Sequence, residues 1–144
     1  MDDFLEETRC VGQPIYLGIL GKHETISKND IHESILHPLI TAIGRLPDKV
    51  YVPSDGLSST YVSIWSEKLN IETQIVEADW KRQGRKAGFL RDSRILKEST
   101  HLLIFNGPRS KINETTGIRE AKKGKQVFLV EHGSLDITQL VVEA

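Results

Sequence analysis

Short apolar runs alternate with amphipathic stretches along most of the chain, and this alternation constrains the fold more than any other feature. Residues 14–20 predict a first buried strand, ending at Gly21, Lys22 and His23. A cap at Asn29 or Asp30 opens a helix through Ile43, because Ile31, Ile35, Leu39 and Ile43 recur on one face. Pro38 lies inside that pattern and should kink or split the helix. Residues 50–52 predict a second strand, closed by Pro53, Ser54, Asp55 and Gly56. Ser58 or Ser59 is placed to cap a second helix, with Val62, Trp65 and Leu69 toward the core. Residues 71–76 alternate as a third strand would, and a basic segment separates them from a helix over about 90–99. Residues 101–105 and 127–130 are continuous apolar runs, the pattern of strands buried on both faces. A helix over 114–123, ended by Gly124, lies between them, and 135–142 suits a last edge strand.

The strand–helix unit therefore recurs five times. Such alternation implies crossover connections and an α/β domain with a mostly parallel sheet between helical layers. The chain has 144 residues, enough for one hydrophobic core. Residues 1–13 read as a polar N-terminal tail and 14–144 as the domain. The acidic start lacks a signal peptide's apolar run, and no stretch approaches the roughly 18 apolar residues of a membrane span. Cys10 is the one cysteine, so no intrachain disulfide forms, which fits a reducing, cytoplasmic setting.

In sheets of this kind ligands bind outside the carboxyl ends of the strands. Attention falls on the loops there: 21–23, 53–56, 78–91 and 106–110. The richest is Asp79 to Arg94, which holds six cationic residues within 14 positions: Lys81, Arg82, Arg85, Lys86, Arg91 and Arg94. Gly84 and Gly88 interrupt it and permit close backbone approach. Arginine suits phosphate, and Trp80 could stack on a base. A solvated charged loop with Trp80 in the core explains the same composition equally well. Gly18 and Gly21 bracket a short phosphate-type turn, for which a plain strand–helix turn is the simpler account. Ser54, Asp55 and Gly56 offer hydroxyl, carboxylate and backbone groups at a strand end, as do Asn106, Gly107 and Arg109.

Other chemistries fit poorly. His32 and His37 are five residues apart, whereas a zinc-protease helix needs histidines about four apart on one face. The five histidines and one cysteine show no metal spacing, so neither metal nor cofactor is expected. There is no nucleophile elbow. His101 begins an apolar strand and reads as structural. The formal net charge of −1 argues against a protein built mainly to grip nucleic acid.

Asp79, Trp80, Lys81, Arg82, Gly84, Arg85, Ala87, Gly88, Arg91 and Asp92 together resemble the signature of the cpYpsA-related branch of the SLOG superfamily. The resemblance extends over roughly residues 14–131, through Gly21 and Lys22, Ser54 to Gly56, Ser110 and Lys111, and Ile118 to Lys123. It implies a single Rossmann-like three-layer domain that binds a nucleotide or nucleotide-derived, ADP-ribose-like ligand as a sensor or sequestering protein. Phosphate would meet Lys81, Arg82, Arg85 and Arg91. Related SLOG enzymes cleave a base–ribose bond with a Pro-Gly-Gly-x-Gly-Thr motif. Residues 106–116 here lack its Gly-Thr pair, Asp92 stands where the family has asparagine, and Phe89 where it has proline. Binding is thus expected first, and N-glycosidic hydrolysis through Asp79, Asp92 or Glu114 second. Docking on single-stranded nucleic acid comes last. A homodimer is expected by analogy with sheet proteins of this type.

Overall fold

The computed structural model describes residues 13–22, 26–106 and 112–141, with side chains from 115 onward in the last segment. Five strands run parallel: β1 (Tyr16–Gly21), β2 (Lys49–Pro53), β3 (Glu72–Val76), β4 (His101–Phe105) and β5 (Gln126–Val130). A two-residue β6 (Thr138–Gln139) pairs antiparallel with β5. The order across the sheet is β3-β2-β1-β4-β5-β6. The chain first winds outward from β1 through β2 to β3, then returns to place β4 on β1's other side. That reversal makes the carboxyl ends of β1 and β4 the topological switch point, the place where ligands bind in sheets of this kind.

A π-helical segment (Asp30–Leu36) runs into α1 (His37–Ile43), and α2 is Leu57–Lys68. A short α3 (Trp80–Gln83) and a 3-10 turn (Gly84–Lys86) lead into α4 (Ala87–Glu98), and α5 is Ile112–Lys122. Strand side chains point alternately to the two faces. Leu17, Ile19, Val50, Val52, Leu103 and Phe105 pack on one face with Ile31, Ile35, Leu39 and Val62. Leu20, Tyr51, Leu102, Ile104, Val127 and Leu129 pack on the other with Ile95. Helices cover both faces, which is why the central strands read as continuous apolar runs. The result is a Rossmann-like three-layer α/β domain. Among the described residues no helix is long and apolar enough to cross a membrane.

Pro38 splits its helix as expected. It occupies the first turn of α1, where a missing N–H costs nothing, and the turn before it widens to π geometry. Several local expectations are corrected. The N–H of Asp30 donates to Ser27 Oγ at 3.1 Å, so Ser27 performs the capping assigned to Asn29 or Asp30. Gly56, at φ 98° and ψ 140°, starts α2 without a side-chain cap, and Ser58 and Ser59 fall inside the helix and are buried. The backbone there is one that only glycine adopts without strain, so the turn needs no capping hydroxyl. Leu69 is 44% exposed because it ends α2 beyond the sheet's cover. The helix expected over 90–99 begins earlier, at Ala87, and the basic segment before it is helical rather than a loop. The last strand shrinks to Thr138–Gln139. His32 is half-buried, its Nε2 at 3.0 Å from Tyr61 O. His101 opens β4 with Nδ1 2.8 Å from Thr100 Oγ1. Burial, and then the charge of Arg45, hold its pKa below the usual imidazole range.

Gly18 is not part of a phosphate turn. It lies inside β1 and is buried, beneath α4. A Cβ there would meet Ser99 Oγ at 2.2 Å and Ile95 Cγ2 at 2.8 Å. Its missing side chain lets the helix settle on the central strand.

On the same face Glu120, 2% exposed, gathers a basic cluster near the end of α5. Its Oε1 lies 2.7 Å from Lys125 Nζ and its Oε2 2.9 Å from Lys123 Nζ. Burial pushes this carboxyl up, but the hydrogen bonds from Lys125 and Lys123 outweigh it and hold the pKa below the ordinary glutamate range. The cluster therefore stabilises the fold above the unfolded value of 4.5 and is lost as pH falls through the lower folded value. Glu120→Gln is expected to remove about 1–3 kcal/mol at neutral pH. It should also flatten the acid limb of the stability curve. Denaturant titrations at pH 7 and pH 3.5 check both; equal losses at the two pH values would show that the ion cluster is not the cause.

Candidate functional site

The carboxyl ends of β1 and β2 and the first half of α4 bring four charged side chains together. Gly21 ends β1 with φ 77°, and Lys22 follows it. Lys22 Nζ reaches Asp55 Oδ2 at 3.0 Å. Asp55 stands in the turn between β2 and Gly56, and its Oδ1 accepts from Arg91 Nη1 at 2.7 Å. Arg91 Nε donates in turn to Asp92 Oδ1 at 3.2 Å. Arg91 is the hub, and its side chain is 8% exposed. A guanidinium so placed must be paired, because unpaired charge is strongly disfavoured away from water.

The two carboxylates experience opposite effects. Burial pushes Asp55 up, but hydrogen bonding from Lys22 and the charge of Arg91 overcome this and lower its pKa. Burial also pushes Asp92 up, and here the Arg91 charge and hydrogen bond do not cancel it, so its pKa is raised. The charge of Asp55 adds to that rise. Two neighbouring carboxyls with diverging affinities for a proton are a feature of acid–base sites as well as of ion networks.

The basic segment forms the outer rim. Asp79, expected to contact a ligand, accepts the Arg82 backbone N–H at 3.2 Å and caps α3. Gly84 ends α3 at φ 57° and ψ −134°, again a conformation suited to glycine. Trp80 is 53% exposed rather than in the core. Its ring leans on the first turn of α4, where a Cβ at Gly88 would lie 3.2 Å from Trp80 Cη2 and 3.9 Å from Arg91 Nη2. Gly88 thus lets indole and guanidinium approach the same stretch of backbone. Arg94 Nη2 donates to Glu77 O at 2.6 Å, which ties α4 to the end of β3. Lys81, Arg82, Arg85 and Lys86 are exposed, and among the described residues none of them pairs with a carboxylate.

Asn106 follows β4 directly and is 4% exposed. Its backbone N–H donates to Val130 O at 2.9 Å, and its Nδ2 lies 3.4 Å from both carboxylate oxygens of Glu131. Its Oδ1 has no partner among the described residues. Ser54 is exposed, and its backbone N–H bonds Val76 O. Gly107, Arg109 and His23 lie outside the described residues, as does the side chain of Glu114.

Of the residues expected at the site, Lys22, Asp55 and Arg91 are in direct contact, with Gly21, Gly56 and Gly88 shaping the backbone beside them. Two residues were missing from that expectation. Asp92 was weighed only as a catalytic group, although it directly follows Arg91. Glu131 is the first residue after β5, so the same strand-end rule that singled out Asn106 would have found it. Among the described residues no group of three or more His, Cys, Asp or Glu is placed to hold a metal. No family model, curated protein or solved structure matches the chain.

Proposed function

We propose that this protein binds a nucleotide or nucleotide-derived, ADP-ribose-like molecule at the carboxyl ends of β1, β2 and β4, as a sensor or sequestering protein. The observation that carries the reading is the set of cations at one strand-end rim. Lys81, Arg82, Arg85 and Lys86 are exposed and without carboxylate partners among the described residues, next to the buried Arg91. Phosphate is the ligand group that such a set stabilises best. The half-exposed Trp80 offers an aromatic face beside it. The likeness of residues 79–92 to the SLOG signature supports the same ligand class.

Mass spectrometry of small molecules released from the purified protein is the direct test, followed by titration with the compound found. Arg85→Ala is expected to weaken its binding about tenfold with no change in thermal stability, since Arg85 is exposed and has no carboxylate partner among the described residues. Unchanged affinity for every mononucleotide in Arg85→Ala and in an Arg82→Ala, Arg85→Ala double variant would remove the basis for the reading. Salt-sensitive binding to oligonucleotides alone would do the same.

A second reading, cleavage of an N-glycosidic bond, is favoured by Asp92. A half-buried carboxyl whose pKa burial raises, at the carboxyl ends of the strands, suits proton delivery to a departing base. Free base accumulating with wild type and not with Asp92→Asn would support it. Intact ligand recovered after prolonged incubation would count against it.

A further inference from the structure

β3 is an outer strand, paired with β2 on one side and with no strand on the other among the described residues. In a parallel ladder successive residues turn their N–H and C=O to opposite sides. Val76 O accepts the Ser54 N–H at 3.1 Å, so Val76 faces β2, as Gln74 and Glu72 then do. Thr73 and Ile75 therefore turn their backbone groups outward. The chain itself closes both ends of this outward row. Ile71 O accepts from Thr73 Oγ1 at 3.0 Å, and Glu77 O accepts from Arg94 Nη2 at 2.6 Å. Between them the backbone groups of Thr73 and Ile75 have no hydrogen-bond partner among the described residues.

Sheet proteins ordinarily blunt such an edge with lysine, proline or a bulge. β3 has none of these: it reads Glu-Thr-Gln-Ile-Val, and its register on β2 is unbroken from Glu72 to Val76. Its one charge, Glu72, lies at the amino end, 3.6 Å from Lys49 of β2. Ile75 stands at the open edge 52% exposed.

The open segment is self-complementary. A second copy, turned antiparallel about a two-fold axis at Gln74, sets its Ile75 against Thr73 and its Thr73 against Ile75. Each pair exchanges both N–H···O bonds, and each joins β-branched side chains. Glu72 then falls opposite Val76, not opposite a carboxylate. An axis at Thr73 or at Ile75 instead sets an open residue against Ile71 or Glu77, whose carbonyls are already engaged. A slip by one residue sets it against a residue bonded to β2.

We infer that two copies of this chain pair antiparallel through β3, joining their sheets into one continuous sheet with its two-fold axis at Gln74. This gives the homodimer expected by analogy a surface and a register. It does not depend on the ligand-binding reading, because the axis turns the carboxyl edges of the two sheets to opposite sides.

Sedimentation of the full chain over a concentration series tests the pairing. A dimer that dissociates in the micromolar range is expected, since one strand pair lies at the small end of specific interfaces. Ile75→Pro removes an N–H outside the β2 ladder, and proline is accepted at a strand edge with that side outward. It should fold and weaken dimerisation at least about tenfold, because symmetry removes the bond twice. Ile75→Lys keeps the backbone intact and should weaken it likewise if the proline variant does not fold. A disulfide reads the register. Residues at the axis form a non-hydrogen-bonded pair with Cα atoms about 4.5 Å apart, within the range a disulfide spans. Gln74→Cys with Cys10→Ser should oxidise to a covalent dimer, and Glu72→Cys with Cys10→Ser should not. A monomer at every concentration up to about 1 mM overturns the inference. So does a dimer left intact by the folded Ile75 variants, or one that cross-links through Glu72→Cys and not Gln74→Cys. With Cys10 retained, a monomer in which Gln74→Cys closes onto Cys10 of its own chain assigns the edge to residues 1–12 and overturns it equally.

Discussion

Replacing Gly18 with alanine is expected to destabilise the domain by about 2–4 kcal/mol, and valine should prevent recovery of folded protein. The position lies in β1, the strand with β2 on one side and β4 on the other. The added Cβ would stand 2.2 Å from Ser99 Oγ, 2.8 Å from Ile95 Cγ2 and 3.0 Å from Ser99 Cβ. Ser99 cannot easily yield. It is 3% exposed, and its hydroxyl already donates to Ile95 O at 2.5 Å, at the end of α4. The clash must therefore move α4 off the sheet, and α4 carries Arg91 and Asp92. Ser99→Gly removes two of the three close atoms, so Gly18→Ala with Ser99→Gly should recover more than half of the loss. Thermal and denaturant unfolding of the two single variants and the double variant gives the coupling. Additive losses in the double variant would show that the contact with Ser99 is not what excludes a side chain.

Removing Arg91 should have the second large effect, and one with a distinct pH signature. Arg91→Leu keeps much of the buried volume but leaves Asp92 without its cation and Asp55 with Lys22 alone. About 2–4 kcal/mol of stability should be lost at neutral pH, somewhat below the usual figure for a fully buried pair because both carboxylates are partly exposed. Asp92 already has a folded pKa above the unfolded value of 3.8. Losing Arg91 raises it further. A carboxyl with a raised folded pKa destabilises the fold when ionised, and that penalty fades as pH falls through the folded pKa toward 3.8. The variant should thus regain stability on mild acidification. Asp55 works in the opposite direction, but only at lower pH. Its folded pKa is depressed, so its contribution is present above 3.8 and disappears as pH falls through the lower folded value. Adding Asp92→Asn to Arg91→Leu should remove the regain of stability on acidification, leaving the decline that His101 imposes on every variant as pH falls through 6.5, and restore part of the loss at neutral pH. Unfolding curves for both variants across that range decide the matter. A loss that is the same at every pH would place the role of Arg91 in packing alone.

These two positions show why the sequence was readable in some respects and not in others. The periodicity of apolar residues reports which side chains must leave water, so strands and helices could be located and their order inferred. The split at Pro38 was legible because proline's missing N–H is a local property. Gly18 was misread for a related reason. A glycine near a strand end looks the same whether it admits a ligand or a neighbouring helix, and the difference lies in Ser99, far along the chain. The serines after Gly56 were misread because Gly56's own backbone geometry already starts α2. Leu69 was placed inward by spacing alone, although the helix ends where the sheet's cover ends.

The basic segment divides in the same way. Sequence alone determined that six cations follow the third strand and that two glycines interrupt them. It thereby fixed the local concentration of charge and its place at the carboxyl edge of a parallel sheet. It could not assign different tasks to those cations. Tertiary structure buries Arg91 between Asp55 and Asp92, ties Arg94 to Glu77 O, and leaves Lys81, Arg82, Arg85 and Lys86 exposed. The physical reason is distance. Hydrophobic periodicity and helix capping act over a few residues, whereas the charge on Arg91 is balanced by a carboxylate 36 residues away that meets it only when the sheet has assembled.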